Sequence, residues 1–168
     1  MPPGPEQSFR DYVHARVAAL SRSAYLLTGD AHLAEDLVQQ TLVQVASRWE
    51  RIVAGGDPDA YVRRVLYHQH VSWWRRWRRE AVPVDRLPDT AGPLPDVALT
   101  VAVQQALAKL TPKQRAVLVL RYFEDLTETQ AATVLGVGVG TVKSQTRDAL
   151  ARLRVLAPDL AELQEVAR

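Results

Sequence analysis

The chain has 168 residues, 47% of them hydrophobic, and a formal net charge of +2; this is enough apolar material for one ordinary domain or two small ones, and too much for wholesale disorder. It contains no cysteine, which excludes disulfides and thiolate metal sites. No apolar run approaches the roughly 20 residues of a membrane span, and Met1 to Arg10 lacks the apolar stretch of a signal peptide, so the expectation is a cytoplasmic protein without membrane insertion.

Taken in chain order, almost everything reads as helix, and no segment shows convincing strand alternation. Phe9, Tyr12, Val13, Arg16, Val17, Leu20 and Ala24 recur at helical spacing, and Gly29 ends that helix. Asp30 is placed to cap the next one. Leu33, Leu37, Thr41, Val45 and Trp49 then mark one face in steps of four, up to the stop at Gly55-Gly56. Asp57 followed by Pro58 restarts a helix, a capping residue with proline in the first turn, running to about Arg79. Four of the ten prolines, Pro83, Pro88, Pro93 and Pro95, then fall among Asp85, Asp89 and Asp96. Each proline removes an amide donor and biases its predecessor away from helix, so residues 81–98 read as an extended linker. Beyond it, Val103, Leu107 and Leu110 mark a helix, and Thr111-Pro112-Lys113-Gln114 and Thr127-Glu128-Thr129-Gln130 are two capping boxes that each open another. The expected fold is all-α: two small helical domains, residues 1–80 and 99–158, joined by the proline-rich linker, with a low-information tail over 159–168.

The segment Thr127–Arg154 has the pattern of a DNA-binding helix-turn-helix. Ala131 and Ala132 are small where two helices cross, Gly136 suits the left-handed end of the first helix, and the recognition helix starts near Val139. Val142, Ala149, Leu150 and Leu153 then face the core. Gly140, Thr141, Lys143, Ser144 and Arg147 face outward, toward groove and phosphates.

Residues 61–79, YVRRVLYHQHVSWWRRWRR, contain six arginines and no acid. Arg63, Arg64, Arg75, Arg76, Arg78 and Arg79 are interleaved with Trp73, Trp74 and Trp77. Arginines neutralise phosphates, and aromatic faces stack on bases that have left the duplex. Val62, Leu66, Trp73 and Trp77 roughly share a face, which makes some of the tryptophans core. Arginine outnumbers lysine 18 to 3 over the whole chain, a bias that GC-rich codons also produce. His68 and His70 lie two apart on a helix, point in nearly opposite directions and have no carboxylate or thiol beside them, so no metal or cofactor is expected. No P-loop, nucleophile elbow or paired carboxylate appears, and the chain does not read as an enzyme.

An amphipathic acidic helix, an Arg/Trp helix, a proline-rich linker and a helix-turn-helix, in that order, resemble the extracytoplasmic-function (ECF) sigma factors, and more narrowly the actinobacterial SigE-like group. AEDLVQQTLVQVASRW at 34–49 looks like the family's region two signature for docking on RNA polymerase. LTPKQRAVLVLRYFEDLTETQAATVLGVGVGTVKSQTRDALARLR at 110–154 is similar to region four. The resemblance implies a subunit that binds core RNA polymerase through the β′ clamp and β flap, and that recognises and opens promoter DNA. An anti-sigma protein is a further partner of many relatives. By the same resemblance Asp36, Gln39, Gln40 and Val43 would face the clamp. Arg51 to Asp57 would form the loop that captures a flipped base of the minus-ten element. Arg63, Arg64, Trp73, Trp74, Arg75 and Arg78 would contact the melting strand, and Gly140, Thr141, Lys143, Ser144 and Arg147 would read the minus-thirty-five element. Two departures stand out: His68 where the family commonly has asparagine, and Gly138 where Ser or Thr often opens the recognition helix. The competing reading is a LuxR-type helix-turn-helix regulator, which would require a phosphoacceptor or sensing domain over residues 1–80.

Overall fold

A computed structural model describes residues 3–80 and 97–158, with side chains over 3–76 and 101–158. The side chains of Trp77, Arg78 and Arg79, linker residues 81–96 and the tail 159–168 lie outside the described residues. Eight α-helices and one π-helical turn make up the regular structure of the described residues: α1 Pro5–Thr28, α2 Ala31–Ala46, α3 Trp49–Ala54, α4 Pro58–Glu80, α5 Val97–Ala108, α6 Pro112–Leu118 continued by a π turn Val119–Phe123, α7 Glu128–Leu135 and α8 Val139–Leu156. They form two helical domains, α1–α4 and α5–α8. None of these helices is long and apolar enough to cross a membrane.

The stop and start signals act through their local chemistry. Gly29 takes the left-handed conformation (φ 70°) and returns its N–H to the Tyr25 carbonyl, closing α1. The Asp30 carboxylate accepts the Leu33 N–H at 2.9 Å and opens α2. Asp57 does the same for α4 through the Ala60 N–H at 3.0 Å. Both capping boxes close in both directions, Thr111 with Gln114 and Thr127 with Gln130. Gly136 ends α7 at φ 66°, and Gly138 precedes α8 in extended conformation without a side-chain cap.

The expected single helix from Asp30 to Gly55 is two. The chain turns at Ser47-Arg48, where the Arg48 N–H bonds back to Val45, and α3 begins at Trp49. The turn lets the indole leave the α2 face and bury between Phe9 and Tyr12, at ring-centroid distances of 5.3 and 4.9 Å, while its N–H donates to Ser8. Burying the Trp49 ring against the partly buried Phe9 and Tyr12 outweighs the lost helical bonds. Helix α5 begins at Val97, inside the stretch read as linker. The π turn also has no counterpart in the sequence reading: the Glu124 N–H reaches back five residues to Val119, and Asp125 follows at φ 54°.

The apolar face of α4, Val62 and Leu66, is fully buried. Val62 joins Val45, Trp49, Ile52 and Val65 inside the first domain. Leu66 and Tyr67 belong instead to a cluster that runs across both domains, from Leu27, Leu37 and Val38 to Val117, Leu120, Ala131, Val134 and Val142. Helix α4 packs on α6 and α7, and α1 on α5 and α6, so the two domains share one core. Each fully buried Leu or Val in it contributes about 1.5–3 kcal/mol.

Candidate nucleic-acid interface

Three exposed faces carry the residues singled out by sequence. On α2, Asp36, Gln39, Gln40 and Val43 lie on one stripe at i, i+3, i+4 and i+7, while Leu37, Val38, Thr41 and Val45 bury the opposite side. Val43 is 73% exposed, an apolar side chain ringed by an acid and two amides. That chemistry suits a protein surface and repels a polyanion.

The second face begins at the α3–α4 corner. Arg48, Arg51, Ile52, Gly55, Asp57 and Tyr61 line an open pocket of about 290 Å³. Asp57 serves the pocket by fixing the start of α4. Along α4, Arg64, Arg75 and Arg76 are exposed, and Trp73 and Trp74 are half-buried. Among the α4 arginines with described side chains, Arg63 differs because it forms an ion pair with Glu124 of the second domain.

The third face is the start of α8. Gly140, Thr141, Lys143 and Arg147 are exposed, and Ser144 is half-buried with its hydroxyl donating to the Thr141 carbonyl. Lys143 lies 3.8 Å from Glu128, and Arg147 lies 3.3 Å from Asp148. Both pairs are exposed and weak, so both cations remain available to phosphate or a base edge. Thr141, Val142 and Gln145 also line a groove of about 230 Å³ opposite Tyr67, His68, Val71 and Arg75 of α4. His68 lies beside the helix-turn-helix corner: a Cβ added at Gly136 would meet its ring at 3.7 Å.

Two charged groups between the domains escaped the sequence reading. The Glu124 carboxylate accepts from Ser23 at 2.9 Å, from the Tyr67 hydroxyl at 2.7 Å and from Arg63. Burial, reinforced by the Glu124 charge, pushes the Tyr67 phenol well above its ordinary range, so it stays a donor. Arg115 is 3% exposed and donates to Leu27, Leu107 and Ala108 carbonyls at 2.5, 2.8 and 3.2 Å. Those carbonyls end α1 and α5, neither of which has a basic residue in its own last turn. One buried cation therefore caps two negative helix ends. Burial lowers its pKa to about 10, and it remains charged at neutral pH. His70 is fully buried, and its two ring nitrogens have no hydrogen-bond partner among the described residues. Burial first, and the Arg115 charge second, lower its pKa to about 4 and keep it neutral. Among the described residues no group of three or more histidines and carboxylates converges on a metal-sized site.

Comparison with known proteins matches both halves. Residues 6–80 fit the family described as Sigma-70 region 2, and residues 100–153 fit Sigma-70, region 4. The first match leaves no place for the phosphoacceptor or sensing domain of a LuxR-type regulator. The RNA polymerase sigma-E factor of Streptomyces coelicolor is 41% identical over 158 residues, covering 90% of this chain and 88% of that one. The ECF sigma factor SigL of Mycobacterium tuberculosis is 33% identical, covering 85% of each. Among solved structures, the sigma factor RpoE of Bartonella quintana, in complex with the anti-sigma factor NepR, superposes with a TM-score of 0.69 at 26% identity, over 96% of this chain and 99% of that one. CnrH, in complex with the cytosolic domain of CnrY, shares the fold at a TM-score of 0.63 and 24% identity, over 92% and 90%. The chain belongs to the extracytoplasmic-function RNA polymerase sigma factors, in the sigma-E-like group of actinobacteria, and its function is to direct the polymerase to promoters, not to catalyse a reaction of its own.

Proposed function

We propose that this sigma factor divides its work among the three exposed faces. Residues 1–80 form the region two domain, 81–98 the linker, 99–158 the region four domain and 159–168 a tail. The α2 stripe of Asp36, Gln39, Gln40 and Val43 docks on the β′ clamp of core RNA polymerase, and the second domain engages the β flap. The pocket at Arg51 and Asp57 takes a flipped base of the minus-ten element. Arg63, Arg64, Trp73, Trp74, Arg75 and Arg78 hold the opened strand. Gly140, Thr141, Lys143, Ser144 and Arg147 read the minus-thirty-five element. Opening draws on binding energy, and the chain hydrolyses no nucleotide. The observation that carries this reading is the separation of surfaces: an acid-and-amide stripe around Val43 on α2, and cationic faces on α4 and α8. A sigma factor 26% identical over nearly the whole chain is bound by an anti-sigma protein, and we assign this chain a partner of the same class.

The test uses variants with separate readouts. Val43→Asp should abolish co-elution with core polymerase while leaving duplex DNA binding unchanged. Trp74→Ala should slow promoter opening on duplex DNA and be rescued by a pre-melted template. Loss of core binding in Trp74→Ala, or no rescue, would overturn the division.

A further inference from the structure

We propose, on the reading of α8 as the helix that enters the upstream promoter element, that Asp148 is a further specificity-determining residue. Its carboxylate accepts from the exocyclic amine of a cytosine and rejects bases that present an acceptor in that place.

Asp148 sits in the middle of α8, where nothing in the fold calls for a carboxylate. It is too far from either end of Val139–Leu156 to cap the helix or to complement its dipole, and aspartate is among the weaker helix formers. Arg152, the cation one turn later, turns its Nε to the Lys109 carbonyl at 3.1 Å. Among the described residues, the side-chain contact of Asp148 is with its neighbour Arg147, at 3.3 Å. Glu128, the other carboxylate near this face, differs. It stands in the first turn of α7, where the helix dipole favours an acid, and lies 3.8 Å from Lys143.

The place of Asp148 on the helix suits contact with base edges. Helical period puts Gly140, Ser144, Arg147, Asp148 and Ala151 on the side of α8 opposite the buried Val142 and Ala149. The Asp148 side chain is 54% exposed. Gly140, Ser144 and Ala151 are small, so this side can approach the groove floor closely enough for a side chain as short as that of aspartate. A carboxylate so placed meets a polyanion, and its repulsion must be offset by a donor. In the major groove the donors on the bases are cytosine N4 and adenine N6. Adenine sets its N7 acceptor beside that amine, against the second carboxylate oxygen, whereas cytosine presents no acceptor of its own. Guanine O6 and N7 and thymine O4 are acceptors and are repelled. The same carboxylate takes the Nε of Arg147 and leaves the terminal nitrogens of that guanidinium to a guanine. Lys143 and Arg147 are thus each matched by a carboxylate. A face so balanced gains little from neutralising phosphates and depends on base edges.

The experiment reads sequence preference in the holoenzyme. The full chain and core RNA polymerase from a related actinobacterium are given a promoter library randomised over the upstream element, and bound fragments are sequenced. The parent should select cytosine at one position, roughly tenfold over the other bases. Asp148→Ala should lose that preference at that position and keep the guanine that Arg147→Ala loses. Asp148→Asn replaces one acceptor oxygen by a donor, and should move the preference from cytosine to adenine, whose N6 and N7 an amide pairs together. Asp148 is exposed, so both variants should fold, which thermal unfolding checks. Asp125→Asn, an exposed carboxylate outside α8, should leave the selected sequences unchanged. No selected cytosine in the parent, or unchanged selection in Asp148→Ala while Arg147→Ala alters it, overturns Asp148 as a reader and leaves α8 its role. Loss of the guanine alone in Asp148→Ala makes the residue a brace for Arg147 and overturns base contact likewise. Unchanged selection in both variants overturns the reading of α8 itself, and Asp148 with it.

Discussion

Acid should destabilise this protein through one buried ring. His70 is fully enclosed on α4, beside the Arg115 guanidinium, and its pKa falls from 6.5 to about 4. In the unfolded chain the ring takes up a proton near pH 6.5, while in the folded chain it resists until about pH 4. The stability contributed by the neutral ring is therefore complete above pH 6.5 and drains away as pH falls toward 4. Linkage gives about 2 kcal/mol lost between pH 7 and pH 5, and about 3 kcal/mol by pH 4. The perturbation is His70→Leu, which fills the same volume and cannot titrate. Urea unfolding across pH 7 to 4 should show the parent losing about 2 kcal/mol more than the variant by pH 5, which cancels the carboxylates common to both. Parallel losses in the two proteins would refute the account of His70 as a buried neutral group.

Arg115→Met should lower stability by about 2 kcal/mol, because it strips charge-assisted donors from the carbonyl ends of α1 and α5; urea denaturation checks the cost, and the His70 titration by NMR should move upward in the same variant. Thr127→Ala, which opens the capping box of α7, should cost about 1 kcal/mol in the same assay. Arg147→Ala should weaken discrimination at the upstream promoter element by about 1–3 kcal/mol while leaving core polymerase binding intact. Footprints on wild-type and altered upstream elements measure the first, and co-elution with polymerase the second.

The local signals in the sequence translate directly because their chemistry is local. A left-handed glycine at Gly29 or Gly136, a cap at Asp30, and the two Thr/Gln boxes each act within four residues, so spacing alone reads them. The outer face of α8 and the buried side of α2 follow from helical period in the same way, whereas the α2 stripe of Asp36, Gln39, Gln40 and Val43 comes from the family resemblance. What the sequence hides is set by the meeting of distant segments. Trp49 continues the α2 period, and only the presence of Phe9 and Tyr12 draws it into a separate helix. Arg63 looks like one more cation in an arginine run, and its pairing with Glu124 spans 61 positions. Arg115 did leave a trace, a charge on the buried face of the apolar run that follows a capping box. Its partners are carbonyls at two helix ends, which no side-chain motif announces. His68 in the place of the family asparagine gains a setting in the fold, against the glycine of the helix-turn-helix corner.

Run-off transcription, with the purified chain, core RNA polymerase from a related actinobacterium and a pool of genomic promoter fragments, decides whether this chain directs polymerase to promoters. Discrete transcripts should appear only when the chain is present, share paired upstream and downstream elements, and vanish with Val43→Asp. Binding to duplex DNA without polymerase-dependent transcripts, or transcripts undiminished by Val43→Asp, would contradict that expectation.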